Sequence, residues 1–159
     1  MRKVEQLRFL ILAAQREGNR LLAQNLRPLG VTPSQAEVLR LLADRQPLTL
    51  GGLGELLVCE SGTNPSRLVD RLVAAGLVDR VEAPHDRRTV ELTLTAAGRD
   101  VANRVADVEE RLYETLEAAG TGLNLDEVIT YLHALTTNQP SGQAVQRRTQ
   151  PPPPPTPRR

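Results

Sequence analysis

The sequence predicts a mostly α protein built around an α+β winged helix-turn-helix unit, with six helices, a two-stranded wing, and dimerisation through the N- and C-terminal helices. Three observations lead there. Apolar residues recur at helical spacing through the first half of the chain and again from Ala96 onward. Two helical stretches flank a short turn at about 58–61, which is the layout of a helix-turn-helix. Between Leu77 and Leu94 the pattern changes to alternation, the mark of a strand pair.

The first helix covers residues 4–27. Val4, Leu7, Ile11, Ala14, Gly18 and Leu21, spaced by three and four, draw one stripe that Leu10, Leu22 and Leu26 widen. At 1.5 Å per residue it is about 36 Å long, more than a small domain covers by itself, so it is expected to pack against a second chain. Pro28 and Gly30 end it. Thr32, Pro33 and Gln35 then supply an N-cap, a proline at the first helical position and a capping-box partner, so a second helix should run from Pro33 to about Ala43 with Ala36, Val38, Leu39, Leu41 and Leu42 on its core face. After a turn at Gln46-Pro47, Thr49 caps a short third helix through Leu57. Gly51, Gly52 and Gly54 each cost it up to roughly 1 kcal/mol relative to alanine, so packing must hold it.

The fourth helix is constrained by Pro65, which has no amide to bond backward and would crowd the carbonyl four residues earlier. Asn64 as cap with Pro65 first removes the conflict and leaves Ser61, Gly62 and Thr63 in the preceding turn. Gly76 suits the left-handed position that closes this helix. Leu77–Val81 and Thr89–Leu94 read as strands joined by a charged loop from Glu82 to Arg88. Thr95 caps a fifth helix from about Ala96 to Ala119, Gly120 and Gly122 break it, and a last helix, about Leu125 to Leu135, carries Val128, Ile129, Leu132 and Leu135. The expected division is a helical dimerisation region at 1–30 and 96–138, a winged unit at 31–95, and a disordered Pro/Arg tail at 139–159.

Composition excludes several classes. Without its tail the 159-residue chain has about 138 residues, one compact domain and too little for a two-domain enzyme. The longest apolar run, Phe9–Ala14, is six residues, against about 20 for a membrane span, so the chain is expected to be cytoplasmic with no membrane partner. A single cysteine, Cys59, allows no internal disulfide, and the separated His85 and His133 complete no metal cluster, so no cofactor is expected. No motif groups a nucleophile, a base and an orienting residue, which argues against an enzyme. The formal charge of +1 conceals a tail with four arginines and no acids, leaving a body of 16 basic and 19 acidic residues, net minus three. Bulk charge thus gives no nucleic-acid signal, and the positions of individual arginines must.

Four segments occur in order: Leu29–Gln35 (Leu-Gly-Val-Thr-Pro-Ser-Gln), Leu48–Leu53 (Leu-Thr-Leu-Gly-Gly-Leu), Arg67–Arg80, and Asp86–Gly98, which joins an Asp-x-Arg wing to Leu-Thr-x-x-Gly. The series resembles the multiple-antibiotic-resistance regulator (MarR) family of winged-helix repressors over about residues 4–136. The resemblance implies a triangular homodimer that binds a palindromic operator in double-stranded DNA as a transcriptional regulator, and that releases it when a small-molecule effector or an oxidant acts. It also implies an effector pocket between the dimer helices and the winged unit, where Phe9, Tyr113 and Tyr131 are the only aromatic residues to line it. The alternative is a winged-helix dimer that serves as a protein-interaction module without DNA, which the slightly acidic body permits.

On the fourth helix Pro65, Leu68, Val69 and Leu72 share the core side, while Thr63, Arg67 and Asp70 point away, flanked by Asn64, Ser66 and Arg71. Arg67 can address a guanine edge bidentately, and Thr63, Asn64, Ser66 and Arg71 suit base edges or phosphates in the major groove. By the resemblance, Asp86 holds Arg88 for entry into a minor groove, with His85 and Arg87 near phosphates. Cys59 lies next to Glu60, which would raise a thiol pKa, and reads as structural.

Overall fold

A computed structural model of the chain describes residues 1–58, 64–83 and 86–151, with backbone alone at 86 and 87. In chain order these residues form α1 (Lys3–Leu26), a 3-10 turn (Arg27–Leu29), α2 (Pro33–Arg45), β1 (Leu48–Thr49), α3 (Leu50–Gly54), α4 (Pro65–Ala74), β2 (Val78–Ala83), β3 (Asp86–Leu94), α5 (Ala96–Ala119), α6 (Leu125–Thr136) and α7 (Pro140–Thr149). None of the described helices is long and apolar enough to cross a membrane.

Local signals set most of these boundaries. Thr32 Oγ1 accepts from the Gln35 amide at 3.3 Å, and Gln35 Oε1 accepts from the Thr32 amide at 2.9 Å, so the capping box starts α2 where two backbone donors would otherwise be unpaired. Gly30 (φ 71°) turns the chain between α1 and α2 in the left-handed region. The core joins Leu39 and Leu42 of α2, Leu53 of α3, Val69 and Leu72 of α4, Val78 and Leu92 of the hairpin and Val105 of α5. Leu26, at the end of α1, closes it.

The structure departs from the sequence expectation at four places. α3 stops at Gly54 rather than Leu57, because three glycines in five residues leave it little intrinsic helicity; Leu56 and Leu57 are nonetheless buried. The sheet has a third strand, β1, in the antiparallel order β1-β3-β2, with Leu48 opposite Leu92. Two residues are too few to show alternation in a sequence, and β1 exists because β3 offers it a free edge. The hairpin strands are also longer than expected, with Ala83 opposite Asp86 after a register shift at Glu82/Ala83, so the connection narrows to Pro84 and His85, outside the described residues.

The fourth departure is the seventh helix. The sequence reading treats 139–159 as a disordered tail, whereas residues 140–149 are helical, with Pro140 at the first helical position. Gly142 and Ala144 are buried in its packing, so tertiary contact supports the helix where composition gave no sign of it. Residues 152–159 lie outside the described residues.

The terminal helices leave apolar surface uncovered. Leu26 is the one buried residue of α1's 24, and α6 buries none of its 12. Phe9, Leu10 and Ile11 on α1 and Ile129, Leu132 and Leu135 on α6 are all exposed in the single chain. Large apolar side chains left exposed in this number are surface that a partner can cover.

Candidate nucleic-acid interface

The first turn of α4 has the cap that Pro65 requires. Asn64 Oδ1 accepts from the Ser66 amide at 3.0 Å, Pro65 occupies the first helical position, and the Arg67 amide donates to Asn64 O at 3.0 Å. Leu68, Val69 and Leu72 are buried on one face, which turns Asn64, Arg67, Asp70 and Arg71 outward; Ser66 is half-buried. At the other end Gly76 (φ 69°) donates to Val73 O at 2.9 Å and Leu77 to Leu72 O at 3.0 Å, the paired bonds of a Schellman motif. That motif directs the chain straight into β2.

Arg80, which the sequence reading did not single out, completes this face. Its Nη2 lies 2.5 Å from Asp70 Oδ1, tying the hairpin to α4 and offsetting a carboxylate on the outward side of the helix. The outward position of Asp70 was legible; its partner, across the corner on β2, was not. Among the described residues neither Arg67 nor Arg71 is in an ion pair. Of the other sequence-predicted residues, Arg88 stands exposed on β3 of the wing. Thr63, His85 and the side chains of Asp86 and Arg87 lie outside the described residues, as does Cys59.

The sequence pattern of the MarR family matches residues 29–89, from the turn before α2 into the wing. The multiple antibiotic resistance protein MarR of Escherichia coli is 32% identical over 127 residues, covering 79% of this chain and 85% of that protein. The chain belongs to the MarR family. The organic hydroperoxide resistance transcriptional regulator of Bacillus subtilis, 29% identical over 123 residues, covers 77% of this chain and 83% of its own length. Among solved structures, a mutant of E. coli MarR in complex with operator DNA superposes with a TM-score of 0.67 at 30% identity, covering 86% of this chain and 96% of that one. Apo E. coli MarR gives a TM-score of 0.60 at the same identity.

In this MarR-family chain the winged unit is bolted to the long helix α5. Thr95 Oγ1 donates to Gly76 O at 2.7 Å and accepts from the Gly98 amide at 2.9 Å, while the Thr95 amide donates to Leu77 O at 3.1 Å. One threonine thus caps α5 and grips the corner that ends α4.

A second group of polar residues lies around a cleft of about 390 Å³ bounded by α1, α2, α5 and α7, with Leu22, Glu37, Arg40, Glu109, Tyr113 and Arg148 in its walls. Arg40 Nε donates to Glu109 Oε2 at 3.1 Å, and its Nη2 lies 3.9 Å from Asp44. Burial raises the Glu109 pKa above the usual carboxylate value, more than Arg40 lowers it, with Asp44 raising it further. Burial, followed by the charge of Glu109, likewise raises the Tyr113 pKa.

A folded-state carboxyl pKa above its unfolded value means that the folded chain holds the proton more tightly. The contribution of Glu109 to stability is therefore complete below the ordinary value of 4.5 and is lost as pH rises through the raised value. Glu109→Gln should gain stability relative to the native protein over that interval. Thermal melts from about pH 4 to about pH 7 read the difference, and a constant offset between the two proteins would contradict it.

Proposed function

We propose that the chain is a DNA-binding transcriptional regulator, a ligand-responsive repressor that binds a palindromic operator as a homodimer in the cytoplasm. Its role is binding rather than catalysis. The observation that carries the reading is the outward face of α4, capped at Asn64 and bearing Arg67 and Arg71 without ion-pair partners among the described residues, next to a wing that exposes Arg88. The likeness to E. coli MarR, solved with operator DNA, supports it.

In this reading residues 1–30 and 96–138 form the dimer and residues 31–95 form the DNA-binding unit. Thr63, Asn64, Ser66, Arg67 and Arg71 serve the major groove, with Arg67 reading a guanine edge. Arg88 enters a minor groove, held by Asp86, with His85 and Arg87 at neighbouring phosphates. A small-molecule effector enters the cleft beside Tyr113, where Leu22, Leu41 and Val145 meet charged groups of both signs between the long helices and the winged unit.

Selection of binding sites from random DNA tests the reading. A palindrome with half-sites about one helical turn apart is the expected product. Affinity should fall steeply with salt, each neutralised phosphate adding about 0.9 to the logarithmic slope. Arg67→Ala should cost about 1–3 kcal/mol at one base position and relax preference there, whereas Arg88→Ala should weaken binding to many sequences alike. Failure to enrich any sequence, or indifference of binding to both substitutions, would remove the proposal.

A further inference from the structure

The C-terminal helix α7 reaches back to the segment that leads into α4. Glu37, in the middle of α2, is the one buried charged side chain among the described residues, 8% exposed. Its Oε1 accepts from the Val58 amide at 2.8 Å and from the guanidinium of Arg148 on α7. Arg148 Nε also donates to Leu56 O at 2.8 Å, and Arg147 Nη1 donates to Glu55 O at 3.2 Å. From the α2 side, Arg45 Nη2 donates to the carbonyls of Arg148 at 2.6 Å and Gln150 at 2.9 Å. The end of α7 is therefore fastened to the stretch 55–58, the last described chain before the cap of α4 at Asn64.

These bonds have a chemical order. A buried carboxylate is retained only when a cation and hydrogen-bond donors surround it. Arg148 supplies the cation, and the Val58 amide supplies one donor. Val58 stands beyond α3, and the bond that holds its amide comes from a side chain of α2 rather than from a helical ladder. Without Arg148, the Glu37 carboxylate loses its cation and turns toward solvent, and its hold on that amide weakens. α4 itself stays seated, because Leu68, Val69 and Leu72 pack independently of α7. What loosens is the point from which the chain departs for the first turn of α4, the turn that carries Asn64, Ser66 and Arg67.

We infer that Glu37 and Arg148 are positioning residues for α4: α7, acting through Arg148, holds the Glu37 carboxylate on the Val58 amide and so sets how the first turn of the helix is presented. The consequence for DNA rests on the function proposed above; the relay itself does not. α7 follows directly from α6, with Gly142 set so closely on the Thr136 carbonyl that a Cβ there would lie 2.0 Å from the oxygen. Any partner that packs on α6 is thereby connected to the approach to α4.

Two measurements on the full chain test this. Hydrogen exchange without DNA should show the Val58 amide of Arg148→Ala exchanging about tenfold faster, with amides of the α2 and α5 interiors as protected as before. Binding to the selected operator should weaken about tenfold, within the range of couplings between sites, while the melting temperature shifts by only a few degrees. Arg148→Lys, which keeps the charge but cannot bridge Glu37 and Leu56 O through a planar fork, should fall between native and alanine in both. Arg148→Lys also serves if the alanine variant folds poorly. Unchanged Val58 exchange overturns the relay, and faster exchange with unchanged affinity overturns the positioning role. Absence of operator binding by the native chain would instead defeat the DNA reading and leave the exchange experiment to decide the relay.

Discussion

Ile11→Asp combined with Ile129→Asp should give a folded monomer whose affinity for a palindromic operator falls by about 10²–10⁴-fold, while its contact with a single half-site persists. Both isoleucines are exposed in the single chain, 38% for Ile11 on α1 and 59% for Ile129 on α6, so neither substitution opens a cavity in the core. Surface changes of this kind usually move stability by no more than about 0.5 kcal/mol. In a dimer the same positions would be desolvated, and each aspartate would place a charge without a cation in an apolar interface, at several kcal/mol per ion. Symmetry doubles the penalty, because both protomers carry both changes. Linking two half-site contacts through one scaffold makes the second binding event intramolecular, and that advantage is what monomerisation removes. Sedimentation and titration against full and half operators read the two effects separately. A variant that remained dimeric at native affinity would mean that another surface joins the protomers.

The parts of this molecule that were legible in its sequence are those decided within about one helical turn. Thr32, Thr49, Asn64 and Thr95 each accept from an amide two or three residues ahead, and each marks a helix start. Pro65 located α4 because a missing amide is a local fact, and Gly76 located its end because a left-handed residue is one too. Arg67, Asp70 and Arg71 were placed outward by periodicity alone. The interactions that escaped prediction are separated in the chain: Arg80 pairs with Asp70 across ten residues, Arg40 with Glu109 across 69 and Arg148 with Glu37 across 111. No spacing rule reaches that far. α7 was missed for the same reason, since the Pro and Arg content of 139–159 described its solubility and said nothing of a buried glutamate waiting on α2. β1 escaped because two residues cannot display a period of two.

Gly98→Ala should destabilise the protein by about 3 kcal/mol and weaken DNA binding in step, although alanine is ordinarily the better helix former. Inside α5 the intrinsic preference favours alanine by up to about 1 kcal/mol. Space decides otherwise. A Cβ at Gly98 would lie 1.9 Å from the Leu77 carbonyl oxygen and 2.9 Å from its carbon, and both atoms are backbone, so no side chain can rotate aside. The first turn of α5 must then lift from the corner between α4 and β2. Overpacking of this kind costs about 1–3 kcal/mol. Two bonds stretch with it, Thr95 Oγ1 to Gly76 O and the Thr95 amide to Leu77 O, each worth about 1 kcal/mol. Those bonds join the helix expected to build the dimer to the corner that orients α4, so the same displacement that lowers the melting temperature also changes how two copies of α4 are spaced along a duplex. Gly51→Ala is the control: nothing lies within 4 Å of a Cβ there, and its effect should stay within about 1 kcal/mol. Equal melting temperatures for the two variants would show that α5 can shift without cost, and the rigid link from α5 to α4 would have to be abandoned.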